Sequence, residues 1–88
     1  MPELSRFFGI AIYLNHDDAK QHHKPHFHAR YGEHEASIPL DGILLAGSLP
    51  PKQMKLVVAW AALHETELDE NWYLAQTHGN CFRIEPLY

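Results

Sequence analysis

Two hydrophobic periods divide the chain at Pro50-Pro51. Between Phe7 and about Ala46, the polar residues 15–25 apart, side chains alternate at every second position; from Pro51 to Ala75 the apolar ones recur at helical spacing. Alternation of period two is the mark of strands and a 3.6-residue stripe the mark of an amphipathic helix. A chain written in that order folds as strands first and helices after, which restricts it to a segregated α+β arrangement with the helices packed on a small antiparallel sheet.

The strand half breaks into segments. Phe8, Ile10, Ile12 and Leu14 alternate with Phe7, Gly9, Ala11 and Tyr13, and both sets are largely apolar, so a strand there is covered on both faces and central. Residues 15–25 are polar and aperiodic and read as a loop. His26 to Tyr31 alternates cleanly, with Phe27, Ala29 and Tyr31 on one side and His26, His28 and Arg30 on the other. Ala36, Ile38 and Leu40 alternate with Glu35 and Ser37 in a third strand. Pro39 has no N–H to give a ladder and must face an edge or bulge. Asp41-Gly42 is a two-residue hairpin signal, with a fourth strand over Ile43 to Ala46.

Pro50-Pro51 suits the first turn of a helix, where a missing N–H costs nothing. Met54, Val57, Val58 and Ala61, widened by Leu56, Trp60 and Leu63, make that helix apolar almost all round. Thr66 with Asp69 has the spacing of a capping box and predicts a new start or a bend near His64. Leu68, Trp72 and Ala75 continue the stripe, and Gly79, preceded by His78, is a helix stop. Phe82 and Ile84 alternate with Arg83 and Glu85, a short fifth strand ended by Pro86. The expectation is one domain over residues 1–88: a sheet of four to five antiparallel strands under a C-terminal helical hairpin or bent helix. Trp60 and Trp72 should be buried and Phe27 should face the helix, while His26 and His28 face away from it.

The chain has 88 residues, 45% of them hydrophobic and 20% charged, enough for one thin core and too few for a Rossmann fold or a TIM barrel. Its longest apolar run, Leu56 to Leu63, is far short of the ~20 residues that cross a bilayer, and the N-terminal residues lack the pattern of a secretory signal. The single Cys81 forms no internal disulfide. These features point to a cytoplasmic protein.

Charge is uneven. Residues 1–34 balance four acids with four bases and hold six of the eight histidines, whereas residues 35–88 carry the whole net charge of −4. Four acids crowd into Glu65, Glu67, Asp69 and Glu70, a solvated helix face or a docking surface for another protein. The overall acidity argues against broad, non-specific nucleic-acid binding.

Two chemistries fit the strand stripe. His26, His28 and Arg30 place two acid–base groups beside a fixed cation, as metal-independent cleavage of a phosphodiester requires. One imidazole takes the ribose hydroxyl proton, another acid protonates the leaving oxygen, and a guanidinium steadies the phosphate. Arg6 is a further substrate-binding candidate. Tyr31 belongs with Phe27 by alternation; turned outward at the strand's end, it would stack on a base. Alternatively, His26 and His28, two apart on one face, with His22 and His23 from the loop before them, could ligate zinc or nickel. Solvent-facing histidines with neither role are the third option.

Three motifs in order resemble one family. Pro2-Glu3-Leu4-Ser5-Arg6-Phe7-Phe8-Gly9-Ile10, then Pro25-His26-Phe27-His28-Ala29-Arg30-Tyr31-Gly32-Glu33, then Trp60-Ala61 through Leu63-His64, Glu67-Leu68 and Asn71-Trp72 look like the bacterial domain-of-unknown-function family 4160. The resemblance implies a small bacterial protein encoded beside another small protein, in an arrangement like that of toxin–antitoxin pairs. It assigns no catalytic residue. His26, His28 and Arg30 sit within the family's motif; Ala19 to Lys24 departs from it, being longer and richer in histidine. A looser similarity of pattern, a strand histidine followed by a strand and an apolar helix, is to the HicA-type RNA-cleaving toxins. The expected function is therefore RNA binding on the His26/His28/Arg30 face, with metal-independent cleavage open to the same groups, the partners being a co-encoded small protein and single-stranded RNA. The alternatives are a histidine-based zinc or nickel module and a non-catalytic protein-interaction partner.

Overall fold

The computed structural model describes residues 3–14, 24–40, 46–77 and 79–87. Five strands, β1 (Glu3–Phe7), β2 (Ile10–Tyr13), β3 (His26–Tyr31), β4 (His34–Pro39) and β5 (Ala46–Ser48), form one antiparallel meander in chain order. Two helices follow, α1 (Pro51–Leu63) and α2 (Glu65–Gln76). The α+β class and the C-terminal helical pair are as the sequence predicts.

The first strand differs from expectation. The segment read as one central strand is a hairpin, β1 and β2, turned at Phe8-Gly9 with φ of 48° and 78°. Two consecutive positive φ values are what a two-residue hairpin turn needs. The first of them falls on an exposed phenylalanine, so the turn carries none of the usual Asn or Asp signal. β2 is internal, as its two apolar faces require, while β1 is an edge. The Asp41-Gly42 turn, the Ile43 end of the predicted fourth strand, and His78 lie outside the described residues.

Pro39 pairs with His26 at the end of β4. The described part of β5 pairs with Glu35 to Ser37.

The core lies between one sheet face and the helices. Ile12, Ala29 and Ala36 are register partners on that face, and Phe27 and Ile38 another pair; all five are buried. Trp60 of α1, fully buried, meets Phe7 at 5.4 Å and Phe27 edge-on at 6.0 Å between ring centroids. Pro50 caps α1, with Pro51 in its first turn. The helices break at His64, whose φ of −126° leaves the helical region. The break falls where the sequence predicts it, but not through the Thr66/Asp69 box: the cap residue is His64, and its Nδ1 lies 2.8 Å from Glu67 Oε1.

The C-terminal segment is not a ladder strand. Its backbone is held by side chains instead. Buried Asn71 donates to the Phe82 carbonyl at 3.0 Å and accepts from the Phe82 N–H at 2.8 Å, and Trp60 Nε1 donates to the Glu85 carbonyl at 2.8 Å. One backbone bond, Ile84 N–H to the Leu4 carbonyl at 2.7 Å, ties the segment to β1. Phe82, its polar groups taken by Asn71, has none to offer a neighbouring strand. Among the described residues no helix is long and apolar enough to cross a membrane.

Candidate functional site

The sheet face opposite the Phe27 row carries most of the polar side chains, and the register sorts them into two rows. Arg6, Ala11, Arg30, Glu35 and Ser48 are successive partners across β1 to β5. Tyr13, His28 and Ser37 form the neighbouring row. Direct partners in antiparallel strands share a face with Cβ atoms about 5 Å apart, so these residues converge by construction.

Within this face the Tyr13 ring stacks on His28, with centroids 5.3 Å apart and planes 17° from parallel. The Tyr13 hydroxyl donates to the Glu35 carboxylate, which also accepts from Arg30 Nη2 at 3.2 Å. Ser37 Oγ and His28 Nδ1 are 3.1 Å apart. The Arg30 guanidinium carbon lies 5.6 Å from the Tyr13 ring centroid, within cation–π range. Burial, then the bond to Glu35, pushes the Tyr13 hydroxyl up to about 12. The same bond, with Arg30 beside it, holds the Glu35 carboxyl below the usual carboxylate range. Arg30 is raised in turn, chiefly by Glu35. At neutral pH the group is a phenol donor, a carboxylate and a guanidinium.

Beside it lies a cavity of about 340 Å³ lined by Glu3, Arg6, Gly9, Ala11, Tyr13 and Arg30, among others. Arg6 Nη2 donates to Glu3 at 2.6 Å and Arg83 Nη1 donates to the same carboxylate at 3.0 Å. These two guanidiniums, Arg6 first, hold the Glu3 carboxyl below its ordinary range.

His28 and Arg30 stand on this face, and Arg6 lines its cavity, as the sequence reading requires. His26 shares the face but not the exposure. Its ring is fully buried, 5.0 Å from Trp72 of α2 and 5.3 Å from His28, with Nδ1 2.9 Å from the Lys24 carbonyl. The expectation that both histidines face away from the helices is therefore corrected for His26. Alternation decides which side chains share a face, not what covers the end of that face, and Trp72 covers it. Tyr31 packs against the core, the side alternation assigns it. His22 and His23 lie outside the described residues. Among the described residues no group of three or more His, Cys, Asp or Glu side chains is placed to hold a metal ion.

Sequence reasoning missed Tyr13, Glu35, Ser37 and Glu3. Glu35 and Ser37 were legible as the polar set of their strand; what was lacking was the register that brings them opposite Arg30 and His28. Tyr13 was hidden by assigning its strand two apolar faces.

Fold and site together define a small α+β domain, an antiparallel meander with Trp60 of α1 packed on one face, and on the other a polar Tyr/His/Arg/Glu cluster whose His26 end is covered by Trp72 of α2. The family model described as a domain of unknown function, DUF4160, matches residues 9–73, and the chain belongs to that family. No curated protein and no solved structure matches it.

Proposed function

We propose that this protein is the small, cytoplasmic RNA-binding member of a toxin–antitoxin-like pair, and that it binds single-stranded RNA on the Tyr13/His28/Arg30 face. The observation that carries the reading is the half-buried His28 ring, backed by the buried Tyr13 ring on which it stacks, with the exposed Arg30 guanidinium beside them. Aromatic rings on a sheet give unpaired bases a stacking surface, and arginine adds a phosphate contact. The net charge of −4 restricts such binding to a short strand at this face. Burial of His26 removes one of the two imidazoles from a histidine-pair mechanism. Cleavage, where it occurs, falls to His28 as the acid–base group, with Arg30 on the phosphate.

The test is titration of a short fluorescent single-stranded RNA with the purified, partner-free domain. Wild type should bind, and Arg30→Ala should bind about tenfold more weakly, the difference shrinking at high salt because the contact is ionic. A chelator should leave both binding and any cleavage intact. No binding to any RNA, with growth unaffected by expression, would overturn the reading in favour of a protein-interaction role for the acidic helix.

A further inference from the structure

The chain has three arginines, and each lines the cavity beside Tyr13 or pairs with a residue that does. Arg6 and Arg30 line the cavity, and Arg83 joins Arg6 on Glu3. In a chain of net charge −4 this is a marked concentration of guanidinium.

The register explains the gap between two of them. Arg6 and Arg30 are each direct partners of Ala11, one on either side, so their backbones are two strand spacings, about 10 Å, apart. The residue between them is a single methyl, and Gly9 adds no side chain at the turn. Two guanidiniums therefore flank a floor with nothing standing on it. Arg6 is held through one terminal nitrogen by Glu3, itself part of the cavity lining, and Arg30 by Glu35 with Tyr13 beside it. A guanidinium carries five N–H donors, so both forks keep donors for an anion between them. Glu3 is shared by two arginines, so its charge is more than matched. The Tyr13 ring forms a wall of the same cavity, and about 340 Å³ is the size of a small-ligand pocket.

Phosphate is the anion that fits paired arginine forks. A terminal monoester fits better than an internal diester. It carries a charge near −2 and three non-bridging oxygens, enough to engage both forks at once, whereas a diester has one charge and two such oxygens. We propose that the cavity over Ala11, between Arg6 and Arg30, is a pocket for the terminal phosphate of an RNA strand. The proposal rests on the RNA reading of the adjoining Tyr13/His28 surface, and it turns that surface into a reader of strand ends.

The experiment compares one short single-stranded RNA in three forms, with a 5′-phosphate, with a 3′-phosphate, and with hydroxyls at both ends, using the full chain and fluorescence anisotropy. One phosphorylated form should bind at least tenfold tighter than the hydroxyl form. Ala11→Val, which fills the floor with a residue suited to a strand, should bring that ratio close to one. So should Arg6→Ala, while Arg6→Lys should restore only part of it, because an ammonium lacks the fork. Circular dichroism confirms that each variant folds. Equal binding of all three forms by wild type would overturn the terminal-phosphate pocket and leave the RNA reading standing. No binding of any RNA, but Arg6-dependent binding of a free nucleoside monophosphate, would overturn the RNA reading and make the source a free nucleotide.

Discussion

The Tyr13 hydroxyl donates its hydrogen bond to Glu35 across an intervening strand: Tyr13 is on β2, Glu35 on β4, and the carboxylate is shared with Arg30 of β3. The bond gives a direct spectroscopic prediction. The Tyr13 hydroxyl is raised to about 12, first by burial and then by this bond. A raised value means that the protonated phenol contributes stability in full below the ordinary value near 10, and that this is lost as pH rises toward 12. An ultraviolet titration of the four tyrosines should show one ionising late and with the onset of unfolding. Tyr13→Phe should remove that late step and cost about 1–2 kcal/mol at neutral pH through the lost bond. A Tyr13→Phe titration indistinguishable from wild type would refute the assignment.

Glu35 and Glu3 set the acid limb. Both carboxyls lie below the ordinary 4.5, Glu35 chiefly through Tyr13 and then Arg30, Glu3 chiefly through Arg6 and then Arg83. Depressed values contribute stability above pH 4.5 that is lost as pH falls through them. The carboxylate side chains are half to a third exposed, so each ion pair is screened by solvent and weakens with salt. Urea melts between pH 3 and 6 should show wild-type stability falling below 4.5, and Glu35→Gln should flatten that slope.

The sharpest backbone prediction is at Gly47. Its φ is +73°, and a Cβ built there would lie 2.2 Å from the Glu35 carbonyl oxygen in the adjacent strand. The left-handed region alone costs an alanine roughly 1–2 kcal/mol, and the clash is with backbone, which cannot rotate away. Gly47→Ala should therefore cost more than about 2 kcal/mol, with loss of β4–β5 pairing by hydrogen exchange. Tolerance within 0.5 kcal/mol would mean that β5 does not pair in this register.

What was legible in the sequence follows from which signals are local. The change of period at Pro50-Pro51 is local, and it correctly separates the sheet from the helices. Alternation over His26 to Tyr31 is local, and it correctly puts His28 and Arg30 on one face with Phe27 on the other. The Phe8-Gly9 turn was not legible, because a phenylalanine there looks like part of an apolar strand. The tail was misread because Asn71 and Trp60, 11 and 25 residues from their carbonyl partners, replace the ladder. The site was legible only as a stripe on β3. Tyr13, Glu35 and the Ala11 floor belong to it through register, a non-local property that one strand's pattern does not contain.

The two histidines of the β3 motif should separate in a mutant series, because one is core and the other is surface. His26 is fully buried against Trp72. His26→Ala leaves a cavity there, and by analogy with other buried ring truncations it should cost about 2–4 kcal/mol. At a temperature where the variant remains folded, RNA affinity should be close to wild type. His28 is half-buried, stacked on Tyr13 and bonded to Ser37. His28→Ala should cost only about 1 kcal/mol in stability but weaken RNA binding severalfold through the lost stacking surface. If the domain cleaves RNA, His28→Ala should reduce cleavage by roughly a hundredfold or more, the usual contribution of a general acid–base group. Calorimetry with zinc and nickel on the same proteins tests the metal alternative. Tight binding by wild type that is lost in His28→Ala would move His26 and His28 to a ligand role. Equal, weak heats from both proteins would remove the metal reading and leave the stacking and phosphate roles to His28 and Arg30.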